Sequence, residues 1–181
     1  KNINPMNRKI KKVAVLGSGI MGSRIACHFA NAGLEVLLLD IPGKNTDEAK
    51  SGDKKTRISI ANEALRKAIQ SSPSPLYRKR YESRIATGNF EDDLEKIRDC
   101  DWILEAVVER LDVKKELFEK VEKYRKPGTI VSTNTSGIPV KDICEGRSND
   151  FKTHFCGTHF FNPPRYLRLL EIIPTQETSK D

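Results

Sequence analysis

The chain has no apolar run long enough to cross a bilayer, so no membrane span is expected. Its basic start, KNINPMNRKIKK, leads straight into a short strand pattern without a longer apolar segment or a cleavage site. No secretory signal peptide is expected on this pattern, and with no Met at its first position the start reads as a trimmed or cut edge. None of the four cysteines, Cys27, Cys100, Cys144 and Cys156, forms a C-x-x-C pair or stands near a histidine at zinc-finger spacing. They read as reduced thiols in a cytoplasmic protein, and no metal site is expected. Cys156 precedes His159 by three residues, but in a strand the two side chains would point to opposite faces, which argues against a Cys–His nucleophile. Internal repeats and low-complexity segments are missing. So are a nucleic-acid reader motif and an aromatic stacking pattern, and a nucleic-acid partner is not expected despite the formal charge of +7.

What is present suits one sizeable soluble domain: 181 residues, 37% hydrophobic and 31% charged. The charge is uneven. Between Lys44 and Arg84 stand 11 Lys and Arg against 5 Asp and Glu, which accounts for nearly all the imbalance. From composition alone, a solvated helical face explains this as well as a binding surface does.

Lys12–Leu16 and Leu34–Leu39 read as buried strands, almost continuously aliphatic as parallel sheets require. Between them Ile20–Ala32 reads as a helix closed by Gly33. A long helical stretch from about Thr46 to Gln70 follows, with Ile58, Ala61, Leu65, Ala68 and Ile69 recurring at helical spacing. The turn Ser72–Pro75 and a short helix over Leu76–Ser83 complete a helical hairpin, residues 44–84, too long for an ordinary crossover. Further strands are expected at Ile85–Thr87, Trp102–Val108, Thr129–Thr133, Phe155–Phe161 and Leu167–Ile173. Helices are expected at Phe90–Ile97, Asp112–Tyr124 and Val140–Cys144. The alternation predicts an α/β doubly wound, mainly parallel sheet, with the helical hairpin inserted after the second strand and an antiparallel strand pair at the C-terminal end.

Gly17-Ser18-Gly19-Ile20-Met21-Gly22 fits G-x-G-x-x-G between a strand and a helix. The first glycine permits the turn, the second clears space for a pyrophosphate, and the third lets helix and strand pack closely. The helix N-terminus then faces the phosphates. Asp40 ends the second strand, 18 residues past Gly22, where a carboxylate can accept ribose hydroxyls and repel a 2′-phosphate. NAD is therefore expected over NADP, with Lys44 the one nearby cation that argues the other way. FAD is less expected, because no second flavin signal is present.

Polar residues also end the apolar strands in STNTSGIPV (132–140) and GTHFFNPPRYLRLLEII (157–173). If the last two strands form a hairpin about Arg165, His159 falls opposite Glu171, within reach of a side-chain hydrogen bond. A histidine oriented by a carboxylate suits a general base, although the same pair could simply rim a sheet.

These motifs resemble those of the NAD-binding domain of L-3-hydroxyacyl-CoA dehydrogenase, the enzyme of fatty-acid β-oxidation. The resemblance covers essentially the whole chain. It rests on GSGIMG, EAVVERLDVKKELF, TNTSGIP and HFFNPPRYLRLLEII in this order. PPRYL and the long insert look more like the dehydrogenase part of large bifunctional β-oxidation proteins. The resemblance implies that His159 is the catalytic histidine and Glu171 its carboxylate partner. It implies that Ser136 and Asn162 contact the substrate oxygen and the nicotinamide end of the cofactor. Glu109 and Lys114 match residues near the cofactor ribose and nicotinamide.

Two departures stand out: Gly137 where the family often has a second serine, and Pro164-Arg165-Tyr166 in place of V-P-V, which is expected to reshape the acyl pocket. The resemblance implies an acyl-CoA substrate, whose phosphates a basic hairpin would attract. It also implies a missing all-helical dimerisation domain, so that the whole protein is a homo-oligomer or part of a multifunctional chain. This stretch alone is expected to bind NAD weakly and turn over poorly. The rival readings are an NAD-dependent dehydrogenase of a non-CoA hydroxy acid and a non-catalytic binding protein that kept the fold.

Overall fold

The computed structural model describes residues 8–43 and 53–180. Seven strands form one sheet in the order β3-β2-β1-β4-β5-β6-β7. They are β1 (Lys12–Leu16), β2 (Glu35–Asp40), β3 (Ile85–Asn89), β4 (Trp102–Glu105), β5 (Ile130–Thr133), β6 (Phe155–Phe160) and β7 (Leu170–Pro174). All neighbours run parallel except β6 and β7. The helices are α1 (Ile20–Asn31), α2 (Lys54–Arg57), α3 (Ser59–Gln70), α4 (Leu111–Tyr124), α5 (Val140–Ile143) and α6 (Asn149–Thr153). This is the expected Rossmann-type architecture.

The sheet is buried on both faces, which is why its central strands carry no polar alternation. In β1, Val13 and Val15 join one core with Ile25, Phe29 and Leu65, while Ala14 and Leu16 join the other with Ile103, Phe118 and Phe155. Period two thus sorts consecutive aliphatic residues into two layers. On the second face Phe118, Phe151 and Phe155 pack with ring centroids 5.3–5.5 Å apart. β1 hydrogen-bonds both β2 and β4, so the strand order reverses at β1. A crevice opens there at the carboxyl ends of the strands, where such sheets bind ligands.

Local differences from expectation have physical causes. The hairpin's first part, residues 44–52 with Lys44 and Thr46, lies outside the described residues. Its main helix is α3, whose Ala61, Leu65 and Ala68 are buried. The short helix expected over Leu76–Ser83 is a 3-10 turn over Lys79–Arg84, and that expected over Phe90–Ile97 is a 3-10 turn over Leu94–Asp99. Neither segment has room for the turns that make α-helix nucleation favourable, and tighter bonding closes them. The last strand starts at Leu170 rather than Leu167, where the Tyr166 and Leu167 N–H groups close a turn on the Pro163 carbonyl instead of joining the ladder. Helix α6 was not expected. Its signal was available: Ser148 caps it, accepting from the Phe151 N–H at 3.2 Å.

Candidate functional site

The glycine turn follows from two contacts. Gly17 has φ +102°, and a side chain there would press on the Ala106 carbonyl at 2.6 Å. A Cβ on Gly22 would lie 1.8 Å from the Gly17 carbonyl oxygen, so α1 can sit against the turn only without one. Above Gly19, by contrast, nothing lies within 4 Å of where a Cβ would stand. This open cradle at the N-terminus of a helix fits a pyrophosphate. Ser18 is buried and Met21 half-buried, and Ile20 is exposed. We expect Gly22→Ala to displace α1 and abolish detectable NAD binding, measured by NADH fluorescence titration. Binding within threefold of the parent would contradict this packing argument.

Asp40 lies at the edge of a cleft of about 440 Å³ whose walls include Gly17, Gly19, Ile41, Val107 and Val108. Apolar walls beside a carboxylate suit an adenosine. The Asp40 carboxylate accepts from the Ser18 N–H at 2.6 Å, from the Ser18 hydroxyl at 2.5 Å and from the Ile41 N–H at 2.7 Å. Lys120, at the rim, is paired with Glu116 at 2.7 Å. Replacing Asp40 by Ser is expected to shift the NAD-over-NADP preference at least tenfold toward NADP, read from the two dissociation constants; an unchanged ratio would remove Asp40 from cofactor selection.

Next to this cleft stands a charge cluster that sequence reasoning saw only in part. Glu105 and Lys114 are both fully buried, with Lys114 Nζ 2.7 and 2.9 Å from the two Glu105 carboxylate oxygens. Glu105 also accepts from the Thr133 hydroxyl at 2.5 Å and from the Val107 N–H at 2.7 Å. Burial pushes its pKa up, against the pull of Lys114 and these donors. Lys114 also lies 3.3 Å from Glu109. Glu109 in turn accepts from the Thr135 hydroxyl at 2.5 Å, the Ser136 N–H at 3.0 Å and the Gly137 N–H at 3.2 Å. Burial opposes its ionisation, but these donors and Lys114 hold its pKa at about 2. The carboxylate of Glu109 thus fastens the loop that carries Ser136. In the sequence Glu105 stands only as the first residue of EAVVERLDVKKELF. The signal that could have found it is the one that marked Asp40: an acid closing an aliphatic strand, here WILE.

The third group lies at the carboxyl ends of β5 and β6. His159 is in register with Glu171, and its Nδ1 lies 2.7 Å from the Glu171 carboxylate. Its Nε2 lies 3.2 Å from the Ser136 hydroxyl, and Phe161 packs on the ring at 4.7 Å. A carboxylate at Nδ1 holds the proton on that nitrogen and leaves the Nε2 lone pair facing Ser136. The structure therefore brings Ser136, His159 and Glu171 into one line. Asn162 is turned elsewhere: its side-chain oxygen accepts from Arg24 at 2.8 Å. Asn134 is an unforeseen contributor, its side-chain oxygen accepting from the Phe160 N–H at 2.9 Å and so tying the β5 loop to β6. Cys156 has its thiol pKa raised by burial, the reverse of what a nucleophile needs.

The family described as 3-hydroxyacyl-CoA dehydrogenase, NAD binding domain, matches residues 12–181. A relative from Bacillus subtilis (strain 168), named a probable 3-hydroxyacyl-CoA dehydrogenase, is 53% identical over 97% of this chain and 23% of its own length. One of the same name from Deinococcus radiodurans is 49% identical over 94% of this chain and 47% of its own. The chain therefore spans a quarter to a half of these relatives. The crystal structure of 3-hydroxybutyryl-CoA dehydrogenase from Escherichia coli K12 superposes with a TM-score of 0.68 at 30% identity, over 95% of this chain and 34% of that one. With the glycine cradle, the acid at the end of β2 and a match from the first strand onward, the chain belongs to the 3-hydroxyacyl-CoA dehydrogenase NAD-binding domain family, and its cofactor is NAD.

Proposed function

We propose that the protein oxidises an L-3-hydroxyacyl-CoA to the 3-ketoacyl-CoA within fatty-acid β-oxidation. The observation that carries this reading is the line Ser136–His159–Glu171, with separations of 3.2 and 2.7 Å, on the same carboxyl edge of the sheet as the dinucleotide cradle. Bound NAD⁺ supplies the acceptor for the hydride that leaves C3. His159 Nε2 takes the proton of the C3 hydroxyl as the carbon–oxygen double bond forms. Glu171 keeps the ring in the required tautomer and stabilises the imidazolium. A substrate hydroxyl facing both Ser136 Oγ and Nε2, which are themselves 3.2 Å apart, is within hydrogen-bond reach of both, so Ser136 orients it. Asn162 acts from the turn beside this line.

Glu109 acts on the cofactor side, where its ionised carboxylate faces the Ser136 loop. Lys114, enclosed between two carboxylates, serves by holding Glu109. The cationic hairpin attracts the phosphates of CoA. We place the reaction in the cytoplasm, in keeping with four free cysteines. We place this unit, residues 1–181 with the insertion at 44–84, in a longer chain that dimerises through a helical domain or carries further β-oxidation activities.

The test is NADH oxidation by the full-length protein with 3-ketoacyl-CoAs of several lengths, beside a 2-keto or 3-keto acid lacking CoA. Turnover with the thioesters alone is the expected result. Turnover confined to the free acids would replace this reading by that of a non-CoA hydroxy-acid dehydrogenase.

A further inference from the structure

We propose that Arg165 fixes the spacing between the cationic hairpin and the catalytic strand pair, and so selects substrates that are held at both ends. The proposal rests on the CoA-thioester reading above. Arg165 lies in the turn that joins β6 to β7, between His159 and Glu171 in sequence. Its guanidinium does not point back at either of them. It donates to the carbonyls of Ser74 and Leu76, the latter at 3.2 Å, in the turn that follows α3. Tyr77 and Tyr166 flank it, with ring centroids 4.9 and 5.2 Å from the guanidinium carbon. Both bonds leave from one nitrogen, Nη1, while the planar guanidinium lies against two rings, an orientation that a lysine ammonium cannot reproduce.

The partner turn is itself held rigidly. Asn31, at the end of α1, donates to the Pro75 carbonyl and accepts from the Tyr77 N–H, both at 2.8 Å. A second arginine works in the same direction: Arg24 of α1 binds Asn162 at 2.8 Å. The catalytic turn is thus fastened to the first helix and to the hairpin at once. On the Arg24 side of these fixtures a shallow cleft is walled by Ser18, Gly19, Arg24, Lys67 and Ser71, which puts cations of α1 and α3 beside the glycine turn. A substrate with phosphates at one end and a reacting carbon at the other spans from such cations to His159. The Arg165 contact is the covalently remote strut that sets that span. Binding energy gained at the phosphate end orients the carbon only if the strut is stiff.

The experiment uses the full-length protein, NADH, and two substrates: acetoacetyl-CoA and acetoacetyl-pantetheine, which carries the same thioester without the nucleotide phosphates. Arg165→Ala is expected to lower kcat/KM for the CoA thioester by about tenfold to a hundredfold, with a loss below about twofold for the pantetheine thioester. Arg165→Lys is expected to fall between, with the same substrate pattern, and serves if the alanine variant does not fold. Equal losses on both substrates would show a merely structural role, and no loss on either would show no role; both overturn the proposal. The wild-type comparison separates the premise from the inference. Equal kcat/KM for the two thioesters before any substitution would overturn the reading of the cationic hairpin itself, and the role of Arg165 with it.

Discussion

Replacing His159 by glutamine is expected to lower kcat of the full-length enzyme by roughly 10²–10⁴-fold, the range of a positioned acid–base group, while KM for substrate and cofactor stays within a few-fold. Glutamine keeps a polar side chain of comparable reach but cannot take the proton. Glu171→Gln is the companion. Its amide no longer distinguishes the tautomer with the proton on Nδ1, and it removes the charge that supports the imidazolium. Glu171 is half-exposed and so better screened, and its loss is expected to be smaller than that of His159. Steady-state kinetics of the two variants beside the parent checks both. An unchanged kcat in both would remove the strand pair from the chemistry, whatever its geometry.

The second large effect concerns stability. Lys114→Met is expected to cost about 3–5 kcal/mol, because it leaves the buried Glu105 carboxylate facing Thr133 and a backbone N–H without its cation. The penalty has a pH signature. Burial already raises the Glu105 pKa, and removing Lys114 raises it further. A carboxyl whose folded pKa lies above its unfolded pKa binds more protons in the folded state between the two values. Stability then falls as pH rises through that window. The variant should therefore be less impaired at acid pH than at pH 8. Adding Glu105→Gln to Lys114→Met should recover most of the loss, since no fully buried charge is left unpaired and the Glu109 carboxylate is partly exposed and keeps its other donors. Urea unfolding of the 181-residue chain reads this directly, because its single tryptophan, Trp102, lies on β4 with Glu105. A single-variant cost under about 1 kcal/mol would mean that the pair carries little of the fold's stability.

Much of the architecture could be read from the chain because it depends on local rules. A parallel strand covered on both faces is aliphatic along its length, and VAVL and VLLL need no partner to be recognised. Asp40 follows from the same rule, as the acid where such a run stops. The opposition of His159 and Glu171 is arithmetic: once a hairpin turns about Arg165, its register is fixed. What escaped depends on distant partners. Glu105 matters through Lys114, Thr133 and Val107, which come from a helix, a neighbouring strand and a loop. The tie between Arg24 and Asn162 joins residues 138 positions apart. The reach of the Arg165 side chain to the turn after α3, 91 and 89 positions away in sequence, is likewise not encoded locally. The short segments Lys79–Arg84 and Leu94–Asp99 form 3-10 turns where α-helix is expected, because the two differ by one hydrogen-bond register, which composition does not encode.

The Asp40 carboxylate already accepts three hydrogen bonds, two from Ser18 on one oxygen and one from the Ile41 N–H on the other. A ribose hydroxyl that binds the oxygen shared by the two Ser18 donors enters an exchange, displacing the Ser18 hydroxyl and taking over what that hydroxyl gave. The enthalpy gained at this point is therefore a small difference between two similar bonds. A 2′-phosphate, by comparison, has no proton to offer and meets a full negative charge. Asp40 is in this sense a discriminator more than an anchor. It contributes little to how tightly the right dinucleotide is held, and much to how poorly the wrong one is.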